Sequence, residues 1–213
     1  MSSRETILAT VKSNQPGPRD LPSDYSGPAA EATDLTPQFI GVLEAIGGAA
    51  FVVSGYDRIA TILREQFPDA RRVVTSCPQL TGFAAGTSAA AAIAAAAPAD
   101  PHTFDTVDLA ILPAHFGVAE NGACWITESQ MIQRVLPFIT QNLALVISRD
   151  SIVATMHQAY DRIAALTEEG FGSFIAGPSK TADIEQSLVL GAHGPRSLTV
   201  FLVDEHLSDA GFF

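Results

Sequence analysis

The segment AAFVVSGYDRIATILREQF, residues 49–67, decides the fold class of this chain. Its first part, Ala49–Val53, is an uninterrupted apolar run of strand length, which is typical of a strand buried on both faces of a parallel sheet. Its second part, Tyr56–Phe67, places three aliphatic residues on one side of a helix. The segment therefore predicts a strand followed by a helix, which is the repeating unit of α/β proteins.

The same alternation continues on both sides of this segment. Thr36 and Pro37 predict the start of a helix that ends near Ile46, because a hydroxyl N-cap followed by proline is a helix start. Further strands are predicted at Arg72–Thr75, Val107–Leu112, Ala123–Thr127, Leu143–Ser148, Phe171–Ala176 and Leu198–Val203, with Ala123–Thr127 pairing near Val107–Leu112. Further helices are predicted at Met131–Thr140, interrupted by Pro137, and from Asp150 or Ser151 to about Leu166. The order predicts an α/β fold: three layers, with a mostly parallel sheet and helices on both faces.

The chain is expected to form a single α/β domain over residues 37–213, preceded by an N-terminal helix and an extended arm over residues 1–36. A capping-box spacing predicts the short helix at Ser3–Lys12. The Pro- and Gly-rich residues 14–36 are interpreted as the arm, either a simple connector or a strap onto a partner subunit. The alanine-rich segment that includes residues 84–99 is expected to form a helix or a loop.

Composition excludes several classes of function. The formal net charge of −11 repels nucleic-acid phosphates, so we expect no nucleic-acid partner. Two cysteines cannot hold an iron–sulfur cluster by themselves, and they suit a reducing cytosol. Cys124 falls in a predicted core strand, whereas Cys77 is expected to be more exposed. No apolar run predicts a membrane span and the first residues lack a signal-like apolar core, so we expect a cytoplasmic protein.

A polar cluster, GPSKTADIE at residues 177–185, directly follows a predicted strand. Ligands of open α/β sheets bind beyond the carboxyl ends of strands, so these residues are candidates for a binding site. The hydroxyls and the lysine suit an anion, and the two carboxylates suit the orientation of those donors or a metal. The same residue types also cap backbone groups in ordinary turns. The candidate ligand-binding residues are Ser179, Lys180, Thr181, Asp183 and Glu185.

Two histidines are further candidates for ligand binding. His193 lies between Gly191 and Gly194, and glycines permit a tight turn that leaves the imidazole accessible as a proton carrier near pH 7. A turn histidine bonded to a carbonyl is equally consistent with this pattern. His115 follows a predicted strand, again at a carboxyl end. The spacing of His115, Glu120 and His193 matches no metal-site pattern, so we expect no metal.

The segment GPSKTADIEQSLVLGAHGPRSLTVFLV, residues 177–203, resembles the C-terminal signature of the LUD-domain family of lactate-utilisation proteins. VDLAILPAHFGVAENGACWIT, residues 107–127, is similar to the middle segment of the same family. The resemblance runs from about Gly47 to Val203. Asn121 stands where the family's middle motif has threonine, and Cys124 and Trp125 replace plainer strand residues.

This resemblance implies a fold similar to the sugar-isomerase and CoA-transferase-like architecture. It also implies that the chain is an accessory subunit in the oxidation of lactate to pyruvate. Its partners would be separate iron–sulfur subunits, and the chain itself would hold no cofactor. A small carboxylate or another anion would be its ligand.

An enzymatic alternative comes from Ala119–Gly122, which resembles the Ser-Glu-Asn-Gly motif of CoA transferases. That resemblance implies that Glu120 is a nucleophile forming an acyl anhydride, with Asn121 beside it in the site. Two other interpretations stay open for Glu120: a pocket shared with His115 and Asp183, or a carboxylate that bonds backbone amides in a turn. A third function is a small-anion sensor, so the sequence leaves open whether the chain is an enzyme.

Overall fold

The computed structural model describes residues 2–19, 34–85, 100–164, 170–184 and 187–204. Its α-helices are α1 Ser3–Ser13, α2 Thr36–Ala45, α3 Tyr56–Gln66, α4 Thr81–Ala85, α5 Glu128–Met131, α6 Leu136–Ile139 and α7 Met156–Ala164. Its strands are β1 Ala49–Val53, β2 Val73–Thr75, β3 Leu109–Pro113, β4 Phe116–Val118, β5 Ala123–Thr127, β6 Asn142–Ser148, β7 Gly172–Ile175, β8 Lys180–Ile184, β9 Ser187–Leu190 and β10 Ser197–Val203. Short 3-10 turns lie at Pro78–Leu80, Pro101–Phe104 and Arg149–Ser151. Within the described ranges, no helix has the length and apolar content needed to cross a lipid bilayer.

The central sheet has five parallel strands in the order β1-β10-β6-β3-β2. Side chains of β3 alternate between its two faces, with Leu109 and Ile111 in the core beneath α3 and Ala110 and Leu112 in the core beneath α2. Because each strand supplies apolar residues to both cores, both faces of the sheet are covered, except at the edge strand β1, where Val52 is exposed. The predicted α/β class with a mostly parallel sheet is confirmed.

A second, antiparallel sheet has the order β4-β5-β7 and contributes Cys124 and Ile126 to the core beneath α2. The prediction that Ala123–Thr127 pairs near Val107–Leu112 is wrong. A tight turn at Glu120–Gly122, closed by a hydrogen bond from Gly122 N to Val118 O (2.9 Å), turns β5 back onto β4 instead. The antiparallel direction of β7 then decides where the following polar segment lies.

Several predicted elements differ from the observed ones in detail. The helix expected over Met131–Thr140 with an interruption at Pro137 is two short helices. The break begins at Ile132, whose φ is 65°, and Pro137 lies in the first turn of α6. Helix α7 begins at Met156, because Val153 is extended and bridges Val118 of β4. Cys77, expected to be more exposed, is buried under α3 and α4. The arm at residues 20–33 and the alanine-rich residues 86–99 lie outside the described residues.

Candidate functional site

The polar cluster of residues 177–185 begins as a loop and continues into a two-stranded hairpin, β8–β9. The hairpin lies at the amino ends of the central strands. Ser179 N donates to Pro195 O (2.9 Å), and Arg196 N donates to Gln141 O (2.8 Å), immediately before β6. The cluster was expected at a carboxyl end, and β7 explains the difference, because its antiparallel direction leads the chain to the other edge.

The hairpin brings the two glycine-rich parts of this segment together. A Cβ on Gly194 would lie 3.0 Å from Cβ of Ser179, so the serine packs against the loop that carries the exposed His193. The Nζ atom of Lys180 lies 2.9 Å from the position of a Cβ on Gly47, at the turn before β1. Ser179, Lys180 and His193 therefore belong to one end of the molecule.

The other predicted residues of this segment are described less completely. Thr181 is half-buried and pairs with Val189 across the hairpin. Asp183 has its backbone in β8, and its side chain lies outside the described part of the structure. Glu185 lies wholly outside the described residues.

Glu120 lies in the β4–β5 turn with an exposed side chain. One of its carboxylate oxygens, Oε2, accepts a hydrogen bond of 2.7 Å from the backbone N–H of Met156, the first residue of α7. A carboxylate at this position satisfies an unpaired amide and complements the positive end of the helix dipole. Glu120 is thus an external cap of α7.

The rest of this turn is held against α2. Asn121 Oδ1 accepts a hydrogen bond from Ala123 N (3.0 Å). Gly122 has a φ of 69°, and a Cβ there would lie 3.0 Å from Cα of Leu43. Residue 122 is therefore best suited to glycine for two reasons. Its positive φ disfavours a side chain, and the backbone of α2 lies too close for a Cβ atom.

His115 lies at the opposite end of β4 from Glu120, just beyond the carboxyl end of β3. Its Nε2 is 2.9 Å from Oγ1 of Thr127, and Oγ1 of Thr127 is 3.1 Å from Oγ of Ser129. Thr127 is fully buried, His115 is half-buried and Ser129 is exposed. A continuous line of hydrogen-bonding groups thus leads from a half-buried imidazole to the surface.

The chain after Ser129 makes a strained turn. Ile132 has φ 65° and ψ −54°, and Gln133 N donates to Met131 O (2.7 Å), which together define a γ-turn with positive φ. After this turn Arg134 folds back, and its Nε donates to Oε2 of Glu128 at 2.6 Å. The guanidinium also lies over the ring of Phe171, 5.1 Å from its centroid.

A separate charged group lies beyond the carboxyl ends of β6 and β10. Arg149 donates to Asp34 (2.7 Å), Asp204 (3.2 Å) and the hydroxyl of Thr36 (3.0 Å). Hydrogen bonds from Thr36, and then from Arg149, lower the pKa of Asp34 to about 2. The contacts with both aspartates raise the pKa of Arg149.

Neither cysteine thiol is reactive, and the described residues contain no group of metal ligands. Burial raises the pKa of Cys77 and of Cys124 to about 12, so neither is a thiolate near neutral pH. Among the described residues, no three His, Cys, Asp or Glu side chains are grouped so that they could hold a metal ion.

Sequence reasoning missed Thr127, Ser129, Arg134 and Arg149. One signal was present for the first two: Thr127 and Gln130 have capping-box spacing directly after a strand, and both capping bonds form. No local pattern marks Arg149, because its partner Asp34 is 115 residues away.

Comparison with known proteins identifies a matching family model and relatives that align with part of this chain. A family model described as the LUD domain matches residues 37–203. The chain is 35% identical over 95 residues to lactate utilization protein C of Bacillus pumilus, covering 42% of this chain and 40% of that protein. It is 34% identical over 105 residues to the protein of the same name in Shouchella clausii, with coverages of 47% and 46%. The chain spans about half the length of these curated relatives.

A crystal structure supports the fold. A DUF162 family protein from Deinococcus radiodurans superposes with a TM-score of 0.55 at 21% identity, covering 79% of this chain and 96% of that one. At this level of identity the likeness concerns the fold alone.

Proposed function

The chain belongs to the LUD domain family, and on this premise we propose that it is an accessory subunit of lactate utilisation. The observation that carries the proposal is the family match over residues 37–203, together with relatives named lactate utilization protein C. The role assigned is the oxidation of lactate to pyruvate in the cytoplasm, in a complex whose iron–sulfur subunits are separate chains. The two cysteines of this chain are buried in different cores, which supports a partner as the holder of the clusters.

The experiment combines genetics with purification. Deleting the gene should slow growth on lactate as sole carbon source and leave growth on pyruvate unchanged, because pyruvate enters after the proposed step. The tagged full-length chain should co-purify with iron–sulfur proteins from lactate-grown cells. Normal growth of the deletion strain on lactate, or purification without an iron–sulfur protein, would contradict the proposal.

A second candidate function is a CoA-transferase-like or isomerase-like enzyme on a small carboxylate, with Glu120 as nucleophile and Asn121 beside it. The observation that favours it is the rigid turn, in which Gly122 packs on α2 and Asn121 bonds Ala123 N. The turn holds an exposed carboxylate in one place, as attack on a thioester requires. The same carboxylate already caps α7, so a structural role competes with this function.

Trapping experiments test the enzymatic candidate. Incubation with acyl-CoA thioesters followed by hydroxylamine should convert Glu120 to a hydroxamate detected by mass spectrometry. Glu120→Gln should abolish the adduct without changing the fold, because its amide oxygen still accepts from Met156 N. The absence of any adduct in the unaltered protein excludes the nucleophile.

A third candidate function, small-anion binding, is proposed for the hairpin end of the molecule. It is supported by the packing of Ser179 against Gly194 and by the exposure of Lys180 and His193. The predicted set of ligand-binding residues there also includes Thr181, Asp183 and Glu185. Calorimetry with phosphorylated metabolites should give heats that Lys180→Gln abolishes, and titrations without heat would exclude this site.

A further inference from the structure

We propose that the free edge of β1 pairs with β1 of a second copy of this chain, so that two central sheets join into one continuous sheet across a two-fold axis. β1 is an edge strand of the central sheet, and among the described residues no strand pairs with its outer edge. The unpaired backbone N–H and C=O groups of an edge strand are a template for another strand. The dimer does not depend on the proposed role in lactate utilisation.

The two edges of the central sheet differ in their protection. β2, at the opposite edge, has only three residues, and all of them are buried. β1 has five residues in regular register with β10, without a proline, a charged side chain or a bulge. Soluble proteins use such features to protect exposed edge strands, because an unprotected edge recruits other chains. β1 therefore has the character of a strand that is paired in the assembled protein.

The backbone of β1 decides which groups are available at this edge. Val53 O accepts a hydrogen bond from Asp204 N (3.2 Å), directly after β10, so the backbone groups of Val53 point towards β10. In a strand, the N–H and C=O of one residue point to the same edge, and those of the next residue point to the other edge. Ala50 and Val52 therefore present their N–H and C=O groups to the open edge.

This arrangement of backbone groups is complementary to itself. When two copies of β1 run antiparallel with Phe51 on the two-fold axis, Ala50 of each copy lies opposite Val52 of the other. Opposite residues whose backbone groups point at each other exchange both of their N–H···O hydrogen bonds. The two Ala50–Val52 pairs thus satisfy all the outward-pointing backbone groups of these residues, and the pairing is isologous.

The side chains match the same register. Val52 pairs with Leu202 of β10, whose side chain belongs to the core beneath α2, so Val52 and Ala50 lie on the α2 face of the sheet. Val52 is 44% exposed there, and in the dimer it lies opposite the small side chain of Ala50. On the other face, the half-buried Phe51 stacks on Phe201, with 5.8 Å between the ring centroids. The dimer covers the exposed valine and places two Phe51 rings beside each other at the axis.

The distribution of charge favours a second copy as the partner. The chain has a formal net charge of −11, so the acidic surfaces of two copies repel each other. Residues 45–56, which contain β1 and the turns on both sides of it, include no charged residue. Two acidic chains can therefore meet at this strand without placing like charges opposite each other.

Sedimentation velocity of the full-length chain measures the dimer. The unaltered chain should sediment as a dimer at micromolar concentration. Val52→Pro should weaken the dimer by about a hundredfold or more, because proline lacks the N–H that each copy donates across the axis. The fold should be retained, because that N–H is not bonded to β10 and proline is tolerated on an edge strand. Val52→Thr, which keeps the N–H and the branched shape, is the matched control and should dimerise as the unaltered chain does.

Disulfide cross-linking tests the register. Phe51→Cys places one cysteine of each copy opposite the other in a non-hydrogen-bonded pair, where Cα atoms lie about 4.5 Å apart, within the range of a disulfide. Mild oxidation should therefore produce a covalent dimer. Val52→Cys, which lies opposite Ala50 of the second copy, should produce little. The native Cys77 and Cys124 are buried and should give no background.

The dimer is overturned if the unaltered chain sediments as a monomer, as it would if another segment of the same chain occupied this edge. It is also overturned if Val52→Pro keeps a native circular dichroism spectrum and dimerises as tightly as the unaltered chain, because the copies then meet at another surface. Equal loss of the dimer in Val52→Thr would show that the backbone N–H is not the contact. A covalent dimer of Phe51→Cys supports the pairing whether or not Val52→Pro folds, and a dimer that Phe51→Cys does not cross-link contradicts it.

Discussion

Glu120 has a structural contact, because its carboxylate accepts a hydrogen bond from the first amide of α7. At the scale of single residues, many polar groups of this chain are engaged in the same way. Asn121 bonds its own turn, and Thr127 bonds both His115 and Ser129. The chemistry of a side chain therefore has to be separated by experiment from its contribution to folding.

Glu120→Ala should lower the free energy of unfolding by about 1 kcal/mol, because an amide at the start of α7 loses its acceptor. Glu120→Gln keeps the acceptor and loses only the interaction of charge with the helix dipole, so it should cost about 0.3 kcal/mol or slightly more. Urea unfolding followed by circular dichroism measures both variants. Equal stability of Glu120→Ala and the unaltered protein would show that the capping bond contributes nothing.

Cys77 and Cys124 should react slowly with a disulfide reagent such as Ellman's reagent in the folded protein. Burial raises the pKa of each thiol to about 12, so the thiolate is scarce near neutral pH and the reagent has no access. Absorbance should show two rapidly reacting thiols only after denaturation. Rapid stoichiometric labelling of the native chain would contradict the observed burial.

At the scale of elements, α2 organises one half of the molecule. It packs on β1 and on the core beneath it, and its backbone at Leu43 lies against Gly122 of the β4–β5 turn. It also lies close to Gly177, where a Cβ would be 3.1 Å from Ile46 O. Two glycines with positive φ thus allow the second sheet and the hairpin segment to approach one helix.

Gly122→Ala should destabilise the protein by about 1–2 kcal/mol, because a left-handed conformation disfavours a side chain and the added Cβ meets the backbone of Leu43. Gly41→Ala, within α2, is the matched control. No atom lies within 4 Å of its added Cβ, so the higher helix propensity of alanine should stabilise by about 0.5–1 kcal/mol. Thermal unfolding of the two variants should shift in opposite directions, and a shift of both in the same direction would refute this account.

At the scale of the whole molecule, Arg149 connects parts of the chain that are far apart in sequence. It joins the residues before α2, through Asp34, to the end of β10, through Asp204. These contacts lie at the carboxyl edge of the sheet, opposite the edge that carries the β8–β9 hairpin. The group stabilises an arrangement of elements rather than any single element.

The ion pair between Asp34 and Arg149 should contribute less to stability in acid. The pKa of Asp34 is lowered from 3.8 to about 2, so its contribution to stability is complete above its ordinary pKa and is lost as the pH falls towards about 2. Melting temperatures of the unaltered chain and Asp34→Asn, measured between about pH 5 and about pH 2, should therefore converge at the acid end. A constant difference across this range would show that the carboxylate charge is not the stabilising feature.

Local patterns in the sequence were sufficient for most elements and for the family. The apolar run at Ala49–Val53 and the capping box at Ser2 each depend on neighbours within a few residues, and each forms as predicted. The helix predicted to start at Thr36–Pro37 also forms, but the prediction of a Thr36 N-cap is wrong: Leu35 is the N-cap, and the Thr36 hydroxyl accepts a hydrogen bond from Arg149 instead. The segments that resemble the LUD domain lie within the range that its family model matches. These features were predictable because short-range hydrogen bonding and side-chain periodicity act within one segment.

Only the tertiary structure decided which side chains share a site. Ser179 and Lys180 lie at the amino edge of the central sheet because β7 pairs antiparallel with β5, and no local signal states the direction in which a strand joins its sheet. His115 meets Thr127 and Ser129 because β4 turns back onto β5. The sequence by itself determined most of the strands and helices and the family, whereas β4, β8 and β9 were not predicted. The pairing of strands, which depends on contacts between distant segments, determined where the polar residues meet.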